Sequence, residues 1–174
     1  ALINLGAALS DLGRYEAAEE VLVAALETAP DDVAGLCTLG AVRLRQESYE
    51  QAEALCRRAL RVAPCHGPAL WNLGRALHKQ RQLTAAIECF ERAWAAGISE
   101  WGLVLDVALA LVGVGHRAEG EEWIRKGMAL APDQPRLHAG LFMPLSHDPR
   151  RDQAALLAVA RDWNARHAAS VAVP

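Results

Sequence analysis

The side chains able to do chemistry in this chain of 174 residues are few and scattered. His147 and His167 are the natural candidates for acid–base work, yet no serine, cysteine or carboxylate stands at a spacing that would complete a catalytic set. A site needs converging groups, so ordinary turn and helix-end histidines fit these two better. Cys65-His66 is a single pair without the two further ligands that zinc requires. The four cysteines, Cys37, Cys56, Cys65 and Cys89, show no CxxC spacing and no matching histidine pair. Scattered thiols in such a chain point to a reducing, cytoplasmic compartment, where cysteine packs as a small apolar residue. No catalytic residue, metal site or cofactor is expected. One cluster is more pointed. Arg75 and Lys79 stand four apart, which on a helix places them on one face beside Trp71. Such a cation row can hold the carboxylates of an acidic segment. An ordinary solvated helix face is the competing reading.

These residues must be positioned by helices. Ala supplies 35 residues and Leu 25, both strong helix formers, while aromatic residues make up 5% of the chain. That composition argues against a sheet-based enzyme fold, and a hydrophobic fraction of 52% excludes a disordered chain. The net charge of −3 argues against a general nucleic-acid role. Charge is unevenly spread, with residues 1–32 at −6, residues 33–100 at +3 and the remainder balanced. The longest apolar run, Val107 to Gly115, is far short of the roughly 18 residues that span a bilayer, so no membrane role is expected. Ala1 opens inside a helical pattern, as in a piece cut from a longer chain.

A period of 34 residues then organises the whole. It relates Pro30 to Pro64 and, through Ile98, to Pro132. It also relates Leu5-Gly6, Leu39-Gly40, Leu73-Gly74 and Val107-Ala108, the small residues Ala18, Ala52, Ala86 and Gly120, and Ala25, Ala59, Ala93 and Gly127. Apolar residues such as Leu36, Leu39, Val42 and Leu44 recur at helical spacing, so each half-repeat is an amphipathic helix. Breaks at Leu12-Gly13-Arg14, Gln46-Glu47-Ser48, Lys79-Gln80-Arg81 and Gly113 to His116 make each unit a helical hairpin. Each proline ends a second helix by disfavouring helical geometry in the residue before it. One hairpin cannot bury its own apolar faces, so stacking must supply the core. The acidic set Glu16, Glu19, Glu20 and Glu27 falls on the first unit's second helix and reads as a solvated convex face.

This pattern resembles the tetratricopeptide repeat (TPR) family, whose period is the one found here. Leu70, Leu73, Gly74, Leu77, Ala86, Phe90 and Ala93 match the family signature, with Trp71 one place after the signature tryptophan. The fourth unit departs from it at Ile98, Gly120 and Gly127. The resemblance implies an all-α, right-handed α-solenoid of about four helix-turn-helix repeats, at 1–32, 33–66, 67–100 and 101–134. A partial repeat and turn (135–151) and a C-terminal helix with connector (152–174) follow. It also implies a concave groove, lined by the first helix of each pair, in which an extended peptide or protein segment lies. Carried over by repeat position, the groove residues are Asn4, Thr38, Arg45, Trp71, Asn72, Arg75, His78, Lys79 and Asp106, with Ala7, Cys37, Ala41, Leu105 and Leu109 beside them. The carboxylate clamp of chaperone-binding TPR proteins is not implied, because Ile3 and Ala7 occupy its opening positions. The column Asn4, Thr38, Asn72, Asp106 resembles the asparagine ladder of O-GlcNAc transferase superhelices, where amides hold a bound backbone. Ordinary polar groove lining is the alternative.

The tail has a resemblance of its own. Leu141-Phe142, Asp148-Pro149, Leu156-Leu157, Trp163 and Arg166-His167-Ala168, on a helix opened by Asp152, are similar to the segment joining TPRs to catalysis in bacterial O-GlcNAc-transferase-like (SPINDLY-like) glycosyltransferases. That implies a substrate-recruiting arm without catalytic residues of its own; a free-standing TPR adaptor is the rival. Leu2, Leu5 and Leu9 have no preceding helix to cover them, which predicts self-association through the first repeat.

Overall fold

A computed structural model describes residues 1–140 together with 157, 158, 160, 161 and 163–165. The partial repeat beyond Gly140, the Asp148-Pro149 turn, His147, Asp152, Leu156 and the Arg166-His167-Ala168 end lie outside the described residues. Every regular element among the described residues is a helix: α1 (Leu2–Asp11), α2 (Tyr15–Thr28), α3 (Val33–Arg45), α4 (Tyr49–Val62), α5 (Gly67–Lys79), α6 (Leu83–Ala95), α7 (Trp101–Gly113), α8 (Arg117–Leu130) and α9 (Pro135–Gly140). The fold is thus the all-α helical-repeat class expected. None of the described helices is long and apolar enough to cross a membrane. The chain divides into two compact units, Ala1–Ile98 and Ser99–Pro174.

The first unit stacks three hairpins, α1–α2, α3–α4 and α5–α6, with α3 packed on α2 and α5 on α4. The repeating columns explain the packing within each hairpin. A Cβ placed on Gly6 would lie 2.5 Å from Leu22 Cγ, one on Gly40 3.0 Å from Cys56 Sγ, and one on Gly74 2.5 Å from Phe90 Cδ1. Leu22, Cys56 and Phe90 are themselves 34 residues apart and fully buried. A missing side chain on the first helix therefore leaves room for a buried one from the second. Between hairpins, Leu36, Cys37, Ala59 and Ala69 form a buried cluster against Leu26, Val33, Leu55 and Leu60.

Each first helix of this unit ends in the same way. The Gly13, Glu47 and Arg81 N–H groups donate to Ser10, Leu44 and His78 carbonyls, and the next N–H reaches the carbonyl five residues back, as in Gln82 to Leu77 at 2.9 Å. This pair of bonds is the Schellman arrangement, which needs a left-handed residue at its centre. Gly13 supplies it at φ 74°, but Glu47 and Arg81 adopt φ 59° and 64° while carrying side chains. Starts are capped less uniformly. Asp32 accepts from Gly35 N–H at 2.7 Å, and the His66 Nδ1, one period later, accepts from Ala69 N–H at 3.3 Å. His66 is therefore a helix cap. Where Ile98 stands in the proline column, Gly97 at φ 94° stops α6 by the same Schellman pair.

The second unit contains the hairpin α7–α8, against which α9 packs. Its departures from the repeat compensate one another. Ala108 stands in the glycine column opposite buried Ile124. Gly120 stands in the alanine column, where a Cβ would come 3.1 Å from the Ala108 carbonyl oxygen. Gly127 makes room for α9, since a Cβ there would lie 2.9 Å from Leu137.

Candidate functional site

The face of interest in the first unit is carried by α1, α3 and α5, whose contacts α1–α3 and α3–α5 place them side by side. Asn4 is exposed on α1. Thr38 is half-buried on α3, and Arg45, the last residue of that helix, is exposed. On α5, Trp71, Asn72, Arg75 and His78 are half-buried and Lys79 is exposed at the helix end. Asp106 is half-buried on α7 and belongs to the second unit. Eight of the nine expected residues thus lie on the first helices of one unit.

Two members of the polar column on that face bond within the protein. The Asn72 Nδ2 donates to the Cys37 carbonyl at 3.4 Å and to Cys37 Sγ at 3.5 Å. The Thr38 hydroxyl donates to the Ala34 carbonyl of its own helix at 2.8 Å. At these two positions the side chains have partners within the protein. A buried-side carbonyl of the neighbouring helix claims the amide donor, and the hydroxyl bonds back along α3. The Cys37 thiol beneath Asn72 is pushed up to about 11 by burial, against a smaller lowering by the Asn72 hydrogen bond. Burial likewise raises Cys56 and Cys89. Buried, protonated thiols of this kind are inert packing residues.

The charged lining is graded along the unit. At the position of Arg75, α1 and α3 carry Ala7 and Ala41, and at the position of Lys79 they carry Asp11 and Arg45. Only α5 combines an indole with two cations on this face. Successive hairpins are tied together by a clasp that residue types alone do not announce. Glu19 accepts from Arg43 at 2.6 Å and from the Gln46 amide at 3.1 Å. One period later, Glu53 accepts from the Gln80 amide at 2.7 Å and pairs with Arg57 at 2.7 Å. Each clasp ties the tip of one hairpin to the second helix of the hairpin before it. Glu19 is half-buried by this contact, so its reading as part of a solvated face is corrected. The signal was present in the 34-residue spacing of Glu19 and Glu53 and of Gln46 and Gln80.

A separate cleft of about 220 Å³ lies between the α4–α5 turn and the end of α6, lined by Pro64, Cys65, Leu70, Arg92, Ala95 and Ala96. Arg92 donates to the Pro64 carbonyl at its edge, at 3.1 Å, and Cys65 is exposed. Among the described residues no group of three or more His, Cys, Asp or Glu side chains is placed to hold a metal.

Comparison with known proteins accords with this geometry. MamA from Desulfovibrio magneticus RS-1 superposes with a TM-score of 0.84 at 21% identity, over 98% of this chain and 96% of that one. YrrB, described as a TPR protein with an unusual peptide-binding site, gives 0.76 at 21% identity over 96% of this chain and 87% of its own. TTC0263, a thermophilic TPR protein of Thermus thermophilus, gives 0.76 at 22% identity over 96% and 90%. At these identities the likeness is one of fold. No curated protein matches the sequence significantly. A tetratricopeptide repeat family pattern matches residues 3–65 and again 37–100, more than half of the chain. With its hairpins, small-residue columns and 34-residue period, the chain belongs to the tetratricopeptide repeat family.

Proposed function

We propose that the chain is a cytoplasmic protein-interaction scaffold whose first-helix face, in the array of repeats 1–32, 33–66 and 67–100, binds an extended acidic peptide or protein segment. The observation that carries this reading is the concentration of Trp71, Arg75 and Lys79 on α5, where α1 and α3 present alanines at the central position. Guanidinium and ammonium groups pair with carboxylates by charge-assisted hydrogen bonds, and the indole offers stacking area. YrrB, of the same fold, is a peptide-binding TPR protein, which supports a peptide as the ligand class. The test is a titration of fluorescein-labelled deca-glutamate, followed by anisotropy, against the chain and its Arg75→Glu, Lys79→Glu double variant. The reading expects binding that weakens with salt and is abolished in the variant, with helical circular dichroism retained. Equal affinity in both proteins would refute it.

Two finer readings accompany it. The tail motifs around Asp148-Pro149 and Trp163 support a recruiting arm of a larger O-GlcNAc-transferase-like glycosyltransferase; a free-standing adaptor accords equally well with the fold. The reading frame after Pro174 separates them, with Gly-rich nucleotide-sugar-binding segments marking the arm and a stop codon the adaptor. Self-association is supported by α1. Leu2 and Leu5 are 46% and 50% exposed, whereas Leu36 and Leu39, one period later, are 0% and 5%. A shallow cleft of about 260 Å³ adjoins them, lined by Ala1, Leu2, Ile3, Ala25, Thr28 and Ala29. Light scattering should show concentration-dependent dimers or larger species that Leu2→Glu with Leu5→Glu dissolves; a strictly monomeric parent chain would oppose this.

A further inference from the structure

We propose that the turn between α5 and α6 extends the binding face, and that Arg81 with Lys79 and Arg45 takes the carboxylates of the same acidic peptide as it leaves α5. The inference rests on the reading of the first-helix face given above. Its starting point is backbone strain. Positions 13, 47, 81 and 115 are equivalent, and all four have positive φ, at 74°, 59°, 64° and 95°. Glycine fills the first and last at no steric cost, while glutamate and arginine fill the middle two against the clash of Cβ with the backbone. Side chains kept in a strained backbone conformation are a pointer to function.

The surroundings of Arg81 say which function. Gln80 is drawn back to Glu53 by its 2.7 Å bond, which leaves Lys79 and Arg81 exposed on either side of an anchored residue. Glu53, the acid at this tip, is already engaged by Gln80 and Arg57. Arg45 ends α3 one period before Lys79 and is also exposed. Among the described residues, none of Arg45, Lys79 and Arg81 forms an ion pair with an acid. Three exposed cations, against the one exposed acid Glu47 in the α3–α4 turn, suit a short run of carboxylates. A nucleic acid suits them less well, since domains that bind one are usually basic overall and this chain has a net charge of −3.

The experiment sets stability against binding. Arg81→Gly should raise the melting temperature by about 2–4 °C, because glycine relieves the left-handed strain. The same change should weaken deca-glutamate binding at least threefold. Arg81→Lys should keep the affinity, and Glu47→Gly should raise the melting temperature without weakening the peptide. Unchanged affinity in Arg81→Gly would overturn the inference while leaving the α5 face intact; failure of the face itself would appear as no binding by the parent chain. A lowered melting temperature in Arg81→Gly, or equally tight binding of a single-stranded oligonucleotide, would also overturn it.

Discussion

Helices α3 and α5 occupy equivalent places in successive repeats; they share the columns that seat the second helix and differ along the face that carries the cations. Leu36, Leu39 and Gly40 on α3 correspond to Leu70, Leu73 and Gly74 on α5, and all six are buried. Away from those columns, Cys37 and Ala41 give way to Trp71 and Arg75. The periodic positions carry the stacking energy, so they are held to a narrow range of sizes. The aperiodic ones vary in size and charge from repeat to repeat and can carry recognition. A repeat fold separates the two demands by position within a single helix.

Breaking the covered side should have the largest effect. Gly74→Ala places a methyl 2.5 Å from Phe90 ring atoms that are fully buried, and should cost about 2–3 kcal/mol in a denaturant titration. Gly40→Ala meets only the Cys56 sulfur at 3.0 Å, so its cost should be visibly smaller. Equal costs would mean that the small-residue columns do not set the hairpin spacing. A middle-sized effect is expected at the clasp between repeats. Glu19→Ala removes the acceptor of Arg43 and Gln46 in a half-buried setting and should cost about 1 kcal/mol. A double-mutant cycle with Gln46→Ala should show coupling; strict additivity would make the clasp incidental.

The mildest probe leaves the fold untouched. Cys37, covered from the α5 side by Asn72, is buried and held protonated, as are Cys56 and Cys89, whereas Cys65 is exposed. A thiol reagent at neutral pH should therefore modify one cysteine in the native protein and all four after denaturation. Rapid native labelling of Cys37 would show that the α3–α5 seam opens.

The repeat columns were legible in the sequence because burial restricts residue size and leaves a period behind. Leu, Gly and Ala at fixed spacing were enough to give hairpins, their turns and their stacking within residues 1–98. The clasp was hidden because a surface glutamate satisfies water as well as it satisfies Arg43, so its type alone announces no partner. Asn72 is ambiguous for a related reason. An amide on a repeat face is as suited to a neighbouring helix carbonyl as to a ligand backbone, and only the spatial approach of Cys37 reveals the first of these. Arg81 was passed over because a left-handed position is normally flagged by glycine, and here the glycine of the column has been replaced.

The division between repeating and variable positions can be tested by giving α5 the variable residues of α3. A Trp71→Cys, Arg75→Ala, Lys79→Arg variant keeps every periodic column and removes the indole and one cation. Titrated with labelled deca-glutamate alongside the parent, it should show at least a tenfold loss of affinity with an undiminished helical signal and cooperative melting. Parent-like affinity in this variant would contradict the account.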